Sequence, residues 1–177
     1  MKLKRTRLAG GTGGQIFGAY LIPKGTFLSA VYVHAGDVID GLQLETTDRT
    51  ETRGLLPFIG GVGGRRIKFR LSAREKVIGI TGRSGIHINS IQFHTTNGSS
   101  PLFGSDKGTP FVLKVDEDGE FKGVYGRAGW FLDSIGLIQA NDRDNARSLV
   151  IERTHFLGKR IAKAGEHDPT LEVPKAS

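Results

Sequence analysis

Cysteine is absent from the 177-residue chain. Its absence excludes disulfide scaffolds, cysteine-ligated zinc and thiol nucleophiles together. No apolar run approaches the roughly 18 residues of a membrane-crossing helix. The basic start, MKLKRTRL, is not followed by an apolar segment of signal-peptide length; the longest nearby is Ala19-Tyr20-Leu21-Ile22. On these absences the expected location is cytoplasmic, with export by a route that needs no signal peptide as the alternative. The five histidines, at 34, 87, 94, 155 and 167, lack metal-ligand spacing, and no pair of carboxylates is set up for glycoside hydrolysis. No catalytic residue, metal or cofactor is expected; His87 and His94 read as strand or loop residues.

Length and composition point to one domain with a real core: 37% of residues are hydrophobic and 24% charged. The formal net charge of +7 is unevenly spread. Residues 1–9 carry Lys2, Lys4, Arg5 and Arg7 without an acid, whereas residues 10–138 carry 14 basic and 12 acidic residues. The excess therefore reads as a short solvated arm on a nearly neutral body. A specific nucleic-acid partner is not expected, because such domains place positive charge on the folded surface. A weak contact of the arm with anionic surfaces or nucleic acid is the alternative function.

The 26 glycines are about twice the average share of roughly 7%, and they recur in register. Gly10-Gly11-Thr12-Gly13-Gly14 is repeated as Gly60-Gly61-Val62-Gly63-Gly64 and, worn, as Gly104-Ser105-Asp106-Lys107-Gly108. A second motif begins at Gly36-Asp37-Val38-Ile39-Asp40, again at Gly85-Ile86-His87-Ile88-Asn89, and again at Gly129-Trp130-Phe131-Leu132-Asp133. Both motifs share nearly the same spacings, so the chain is a threefold repeat. Each copy alternates apolar and polar residues, as in Ile67, Phe69 and Leu71, in Leu42 and Leu44, in Ile91 and Phe93, and in Ile135 and Leu137. That period marks half-buried antiparallel strands. The expectation is an all-β protein of three four-stranded antiparallel sheets with pseudo-threefold symmetry, with a polar hairpin inserted at residues 45–59.

These motifs resemble the jacalin-related lectins, carbohydrate-binding β-prism I proteins, and among them the mannose-binding branch. The resemblance covers about residues 8–138 and rests on Gly-x-x-x-Asp in phase with the double-glycine runs. It implies a first sugar site made of Gly14 with Gly129, Trp130, Phe131 and Asp133. It implies a second made of Gly36, Asp37, Val38 and Asp40 with Gly63 and Gly64. At the third position Asn89 replaces the aspartate beside Gly85, and Lys107 adds bulk to the glycine run, so a weak third site or none is expected. The chemistry suits a sugar. A carboxylate accepts two hydroxyl hydrogens at once, backbone N–H groups donate, and glycine lets the backbone approach closely. Trp130 is placed to stack on a sugar face. The uncleaved segment before Gly10 resembles the mannose/glucose branch, which makes mannose- or glucose-containing glycans and glycoproteins the expected partners.

Three segments follow: an arm at 1–9, the lectin domain at 10–138 and an extension at 139–177. Asn141-Asp142-Arg143-Asp144 reads as a helix start, and Leu149, Val150, Phe156, Leu157 and Ile161 fall at helical spacing. A helix packed on the domain is the first reading of this extension; a dimerisation segment, giving a homodimer, is the second.

Overall fold

The computed structural model describes residues 1–141, and the expected C-terminal helix lies outside them. Fifteen strands follow in chain order. The first five are β1 (Lys2–Arg5), β2 (Ala9–Gly10), β3 (Gln15–Leu21), β4 (Thr26–Ala35) and β5 (Ile39–Asp48). The next five are β6 (Arg53–Leu55), β7 (Ile59–Gly60), β8 (Arg65–Arg70), β9 (Val77–Ser84) and β10 (Ile88–Thr95). The last five are β11 (Gly98–Ser99), β12 (Phe103–Gly104), β13 (Thr109–Lys114), β14 (Gly119–Ala128) and β15 (Leu132–Asn141).

They form three antiparallel sheets of one design. Each has two long central strands, one edge strand, and an opposite edge made of two short strands in series. In sheet A the order is β1 and β2, then β15, β14 and β3; in sheet B it is β6 and β7, then β5, β4 and β8; in sheet C it is β11 and β12, then β10, β9 and β13. Sheets B and C are continuous in sequence. Sheet A is assembled from both ends of the domain, so pairing of β1, β2 and β3 with β14 and β15 closes the molecule. The inner faces share one core, with Val31, Val33 and Leu42 from sheet B, Ile80, Ile91 and Phe93 from sheet C, and Val124, Ile135 and Leu137 from sheet A. Of the apolar positions read from the sequence, Leu42, Leu44, Leu71, Ile91, Phe93, Ile135 and Leu137 are buried and Ile67 and Phe69 half-buried, while in β15 the intervening residues are buried too.

Two boundaries differ from the expected ones. Residues 2–5 are not a solvated arm but edge strand β1, in register with β15 from Lys2 opposite Asn141 to Arg5 opposite Ile138. Two of its three charges have partners: Lys4 meets Asp116 at 2.9 Å, and the Arg5 guanidinium lies 4.6 Å from the centre of the Tyr125 ring. Thr6 continues the closure, accepting a hydrogen bond from the Tyr125 hydroxyl and donating from its own hydroxyl to nothing but Arg7 O, while its Oγ1 also accepts from Leu137 N at 2.9 Å. At the other end, Gln139 and Ala140 are buried residues of β15. A basic run that alternates Lys2, Lys4 with Leu3 is compatible with an edge strand, since charge on an edge also discourages further pairing. The inserted hairpin appears as expected, its turn closed by the Asp48 carboxylate, which accepts from Thr50 N at 2.8 Å and Thr52 N at 3.0 Å.

Removing residues 1–8 deletes β1 and leaves β15 as an open edge. Thermal unfolding of that variant should show a midpoint lower by about 5–10 °C, a loss of roughly 2–3 kcal/mol in a domain of this size. An unchanged midpoint would mean that β1 does not contribute to closure.

Candidate functional site

All six repeat motifs lie where strands meet loops, and the topology brings them to one end of the sheets. Each Gly-x-x-x-Asp motif begins in the tight turn between the two central strands: Gly36–Val38 joins β4 to β5, Gly85–His87 joins β9 to β10, and Gly129–Phe131 joins β14 to β15. Each turn is closed alike, by Gly36 N to Val38 O, Gly85 N to His87 O and Gly129 N to Phe131 O at 2.9–3.0 Å. Each double-glycine run connects the short outer strand to the edge strand of the same sheet. A register shift sits beside every turn, at His34/Ala35, Ile88/Ser90 and Arg127/Ala128. Such bulges bend a strand and re-aim its side chains.

The two motifs of one sheet meet. Gly11 N donates to Asp133 O, Gly61 N to Asp40 O and Ser105 N to Asn89 O, at 2.8–2.9 Å. The last glycine of each run has positive φ, +68° at Gly14, +66° at Gly64 and +95° at Gly108, and a Cβ there would strike the neighbouring turn. That explains why this glycine survives in the worn third copy. Gly14 thus packs against Gly129 and Asp133, and a Cβ on Gly13 would lie 2.9 Å from Asp133 Oδ1. Gly64 packs against Gly36 and Asp40, and a Cβ on Gly63 or Gly64 would lie 2.6 Å from an Asp40 carboxylate oxygen. The residues grouped from the sequence are therefore neighbours in both copies. The turn residues Gly36, Asp37, Gly129 and Trp130 are exposed, Val38 and Phe131 are half-buried, and Leu132 is fully buried. In sheet C the Asn89 amide donates to Lys107 O at 3.0 Å, so its added donor is used within the loop. Gly85 is exposed beside it.

Both aspartates are buried, and their surroundings differ. Burial pushes the Asp40 carboxyl above its ordinary value, while nearby His34 pulls it back. Asp133 has a partner that the sequence did not disclose: His87 Nδ1 donates to Asp133 Oδ1 at 2.8 Å. The imidazole also packs on Phe131, ring centres 4.8 Å apart. His87 comes from the turn of sheet C, 46 residues away. No spacing rule could pair it with Asp133, because the contact exists only once two sheets lie side by side.

Neighbouring sheets touch in a fixed pattern. A Cβ on Gly11 would collide with Ile86 O, and one on Gly61 with Trp130 O. In the third place Ser105 replaces glycine, and its hydroxyl donates to Asp37 O at 2.7 Å. Trp130 therefore stands between the Asp133 turn and the Gly60–Gly64 loop, with its side chain 86% exposed. Such exposure of the only tryptophan rules out a core role and fits a contact surface.

Set beside known proteins, residues 6–138 match the family description "Jacalin-like lectin domain". Horcolin of Hordeum vulgare is 31% identical over 121 residues, covering 64% of this chain and 82% of its own. Jacalin-related lectin 19 of Arabidopsis thaliana is 30% identical over 115 residues, covering 58% of this chain and 64% of its own. Among solved structures, wild-type Malaysian banana lectin superposes with a TM-score of 0.68 at 25% identity, covering 79% of this chain and 99% of that one. A mannose-binding jacalin-related lectin from Ananas comosus gives 0.68 at 25% identity, covering 78% and 98%.

Replacing His87 with alanine leaves the buried Asp133 carboxylate with one partner fewer. Urea unfolding should register a loss of about 1–2 kcal/mol, the lower part of the range for a bond to a charged group because the imidazole is partly solvated. Unchanged stability would show that the pair contributes nothing.

Proposed function

The chain belongs to the jacalin-like lectin family, and we propose that it binds mannose- or glucose-type glycans at the two intact pairs of loops. The first pair comprises Gly14, Gly129, Trp130, Phe131 and Asp133; the second comprises Gly36, Asp37, Val38, Asp40, Gly63 and Gly64. The family is one of carbohydrate-binding, non-catalytic proteins. The observation that carries the reading is the packing of a carboxylate against a pair of adjacent glycines, Gly13-Gly14 for Asp133 and Gly63-Gly64 for Asp40, made twice with the same geometry.

Each element has a task. The carboxylates of Asp133 and Asp40 accept hydrogen bonds from adjacent sugar hydroxyls, and charge-assisted bonds of this kind are the strong ones. The backbone N–H groups of Trp130, Phe131 and the last glycine of the run donate in return. The glycines at 13, 14, 63 and 64 leave room for the ring. Trp130 offers its face to the apolar side of a sugar. Mannose is favoured because the Ananas comosus neighbour is described as mannose binding. The Asn89 loop pair contributes weakly or not at all, since Asn89 carries no charge and spends its amide on Lys107 O. The alternative reading, an anionic-surface or nucleic-acid binder through residues 1–9, is the less favoured because Lys4 pairs with Asp116 and Arg5 packs on Tyr125 within the fold.

A shallow site of this kind holds a monosaccharide at around 1 mM, about −4 kcal/mol. Two sites on one branched glycan would raise avidity by roughly 10²–10⁴ where geometry lets both engage. Calorimetry with methyl α-mannoside should fit two sites in the parent, one in Asp133→Ala, one in Asp40→Ala and none in the double variant. Asn89→Ala should change little. Parent-like binding by a folded double variant would overturn the assignment of both sites.

A further inference from the structure

The positive charge of the folded domain is concentrated. Residues 49–76 contain eight basic residues against two acidic ones, in a body that is otherwise close to neutral or acidic. Four of the eight lie on β8, the edge strand that leaves the Gly60–Gly64 loop: Arg65, Arg66, Lys68 and Arg70. Lys68 is committed to the buried Glu45, 3.3 Å away, whose carboxylate also accepts from the Tyr32 hydroxyl at 2.8 Å. The three arginines are exposed, and among the described residues none has a carboxylate partner.

Comparison of the three copies gives these arginines a meaning. In sheets A and C an arginine stands on the central strand two residues before the turn. Arg127 donates to Gly13 O and Gly14 O, both at 2.9 Å, and Arg83 donates to Gly108 O at 3.0 Å. Each thereby pins its own glycine loop. Across the strand pair from them stand the uncharged Ile16 and Pro110. In sheet B the order is reversed: the central strand carries buried His34, and the arginine is Arg66, opposite it on the edge strand. Arg66 makes no hydrogen bond to the glycine loop. Its guanidinium rests on the face of Tyr32, 4.0 Å from the ring centre, which fixes the plane and leaves the N–H fork unspent. Arg65 directly follows Gly64, where the other copies have Gln15 and Thr109.

Guarding the edge against strand pairing does not account for this. The corresponding edges, β3 and β13, carry no charge in β3 and only Lys114 at the far end of β13. A planar guanidinium, held in place beside a sugar loop and lacking an anion, is matched to a carboxylate or a sulfate ester. Arg66 is two residues from Gly64, about 7 Å along an extended strand and within reach of a second sugar unit.

We propose that Arg65 and Arg66 make the Asp40 site selective for acidic glycans, those with a sulfate ester or a uronic carboxylate on the sugar next to the terminal residue. The proposal rests on the sugar-binding reading of that site. The Asp133 site, flanked by Gln15 and Ile16, has no such preference.

The test isolates the Asp40 site in an Asp133→Ala background of the full chain. Three probes are titrated at low and high salt: neutral α-1,2-mannobiose, the same disaccharide with one sulfate on its second sugar, and its counterpart with a uronic carboxylate there. The expected result is binding of at least one acidic probe roughly tenfold tighter than the neutral one, with the gap narrowing in high salt. The sulfate and carboxylate arms distinguish the two sources of charge. In Arg65→Gln/Arg66→Gln the preference should vanish while neutral mannobiose still binds, and in Arg70→Gln it should persist. Equal affinity for all three probes, or a preference that survives the double arginine variant, overturns the proposal. So does equal binding of a single-stranded oligonucleotide, which would mark a non-specific polyanion surface. If neutral mannobiose fails to bind while an arginine-dependent acidic probe binds, the mannose reading of the site fails and the anionic selectivity stands. If no probe binds, both fail.

Discussion

The space that the Asp133 and Asp40 carboxylates occupy exists because the loop residues facing them, Gly13 and Gly14 or Gly63 and Gly64, have no side chains. A single Cβ on Gly13, Gly14, Gly63 or Gly64 would lie against a carboxylate oxygen. Two of them, Gly14 and Gly64, also take the positive φ that turns the chain from the outer strand to the edge strand. Sheet geometry, loop path and access to the aspartates thus hang on one steric condition. Burial of the aspartates at the strand starts follows from it, since the glycine loops close over them without covering the turn residues beyond.

Threefold repetition then supplies material for divergence. Every copy keeps the backbone bonds between its two loops, which form the common frame. Side chains on that frame differ. Sheet A keeps its arginine on the loop and borrows His87 from sheet C for Asp133. Sheet B moves the arginine to the edge and leaves Asp40 with burial and His34 as its main influences. Sheet C loses the carboxylate altogether and turns its loops to contacts with the others: His87 toward Asp133 and Ser105 toward Asp37. The copy least suited to a sugar is the one that braces its neighbours.

Much of this was legible in the sequence because repeats are local and in phase. The spacing of Gly10–Gly14 with Gly129–Asp133, and of Gly60–Gly64 with Gly36–Asp40, identified which loops to compare, and the period-two runs around Leu42, Ile91 and Ile135 identified the inner faces. What escaped notice depended on contacts between copies. The His87–Asp133 bond crosses from one sheet to the next, so no local pattern announces it. Lys2–Arg5 looked like a solvated arm because a short basic run has no strand signature of its own; its place is set by the open edge of β15. The charge of residues 10–138, nearly balanced in total, concealed the basic stretch on β8, because a sum over a domain does not show where the charge lies.

The central claim is that a sugar is held between glycine loop and Asp turn at two of the three corners of this end of the domain. Backbone amide chemical shifts followed during titration with methyl α-mannoside test it most directly. The account predicts that the amides of Gly14, Trp130 and Phe131, and those of Gly64, Asp37 and Val38, move with added sugar, while those of Gly108 and Asn89 stay near their starting positions. Shifts confined to another surface, such as the groove beside Ile78 and Val112, with the six loop amides unmoved, would contradict it.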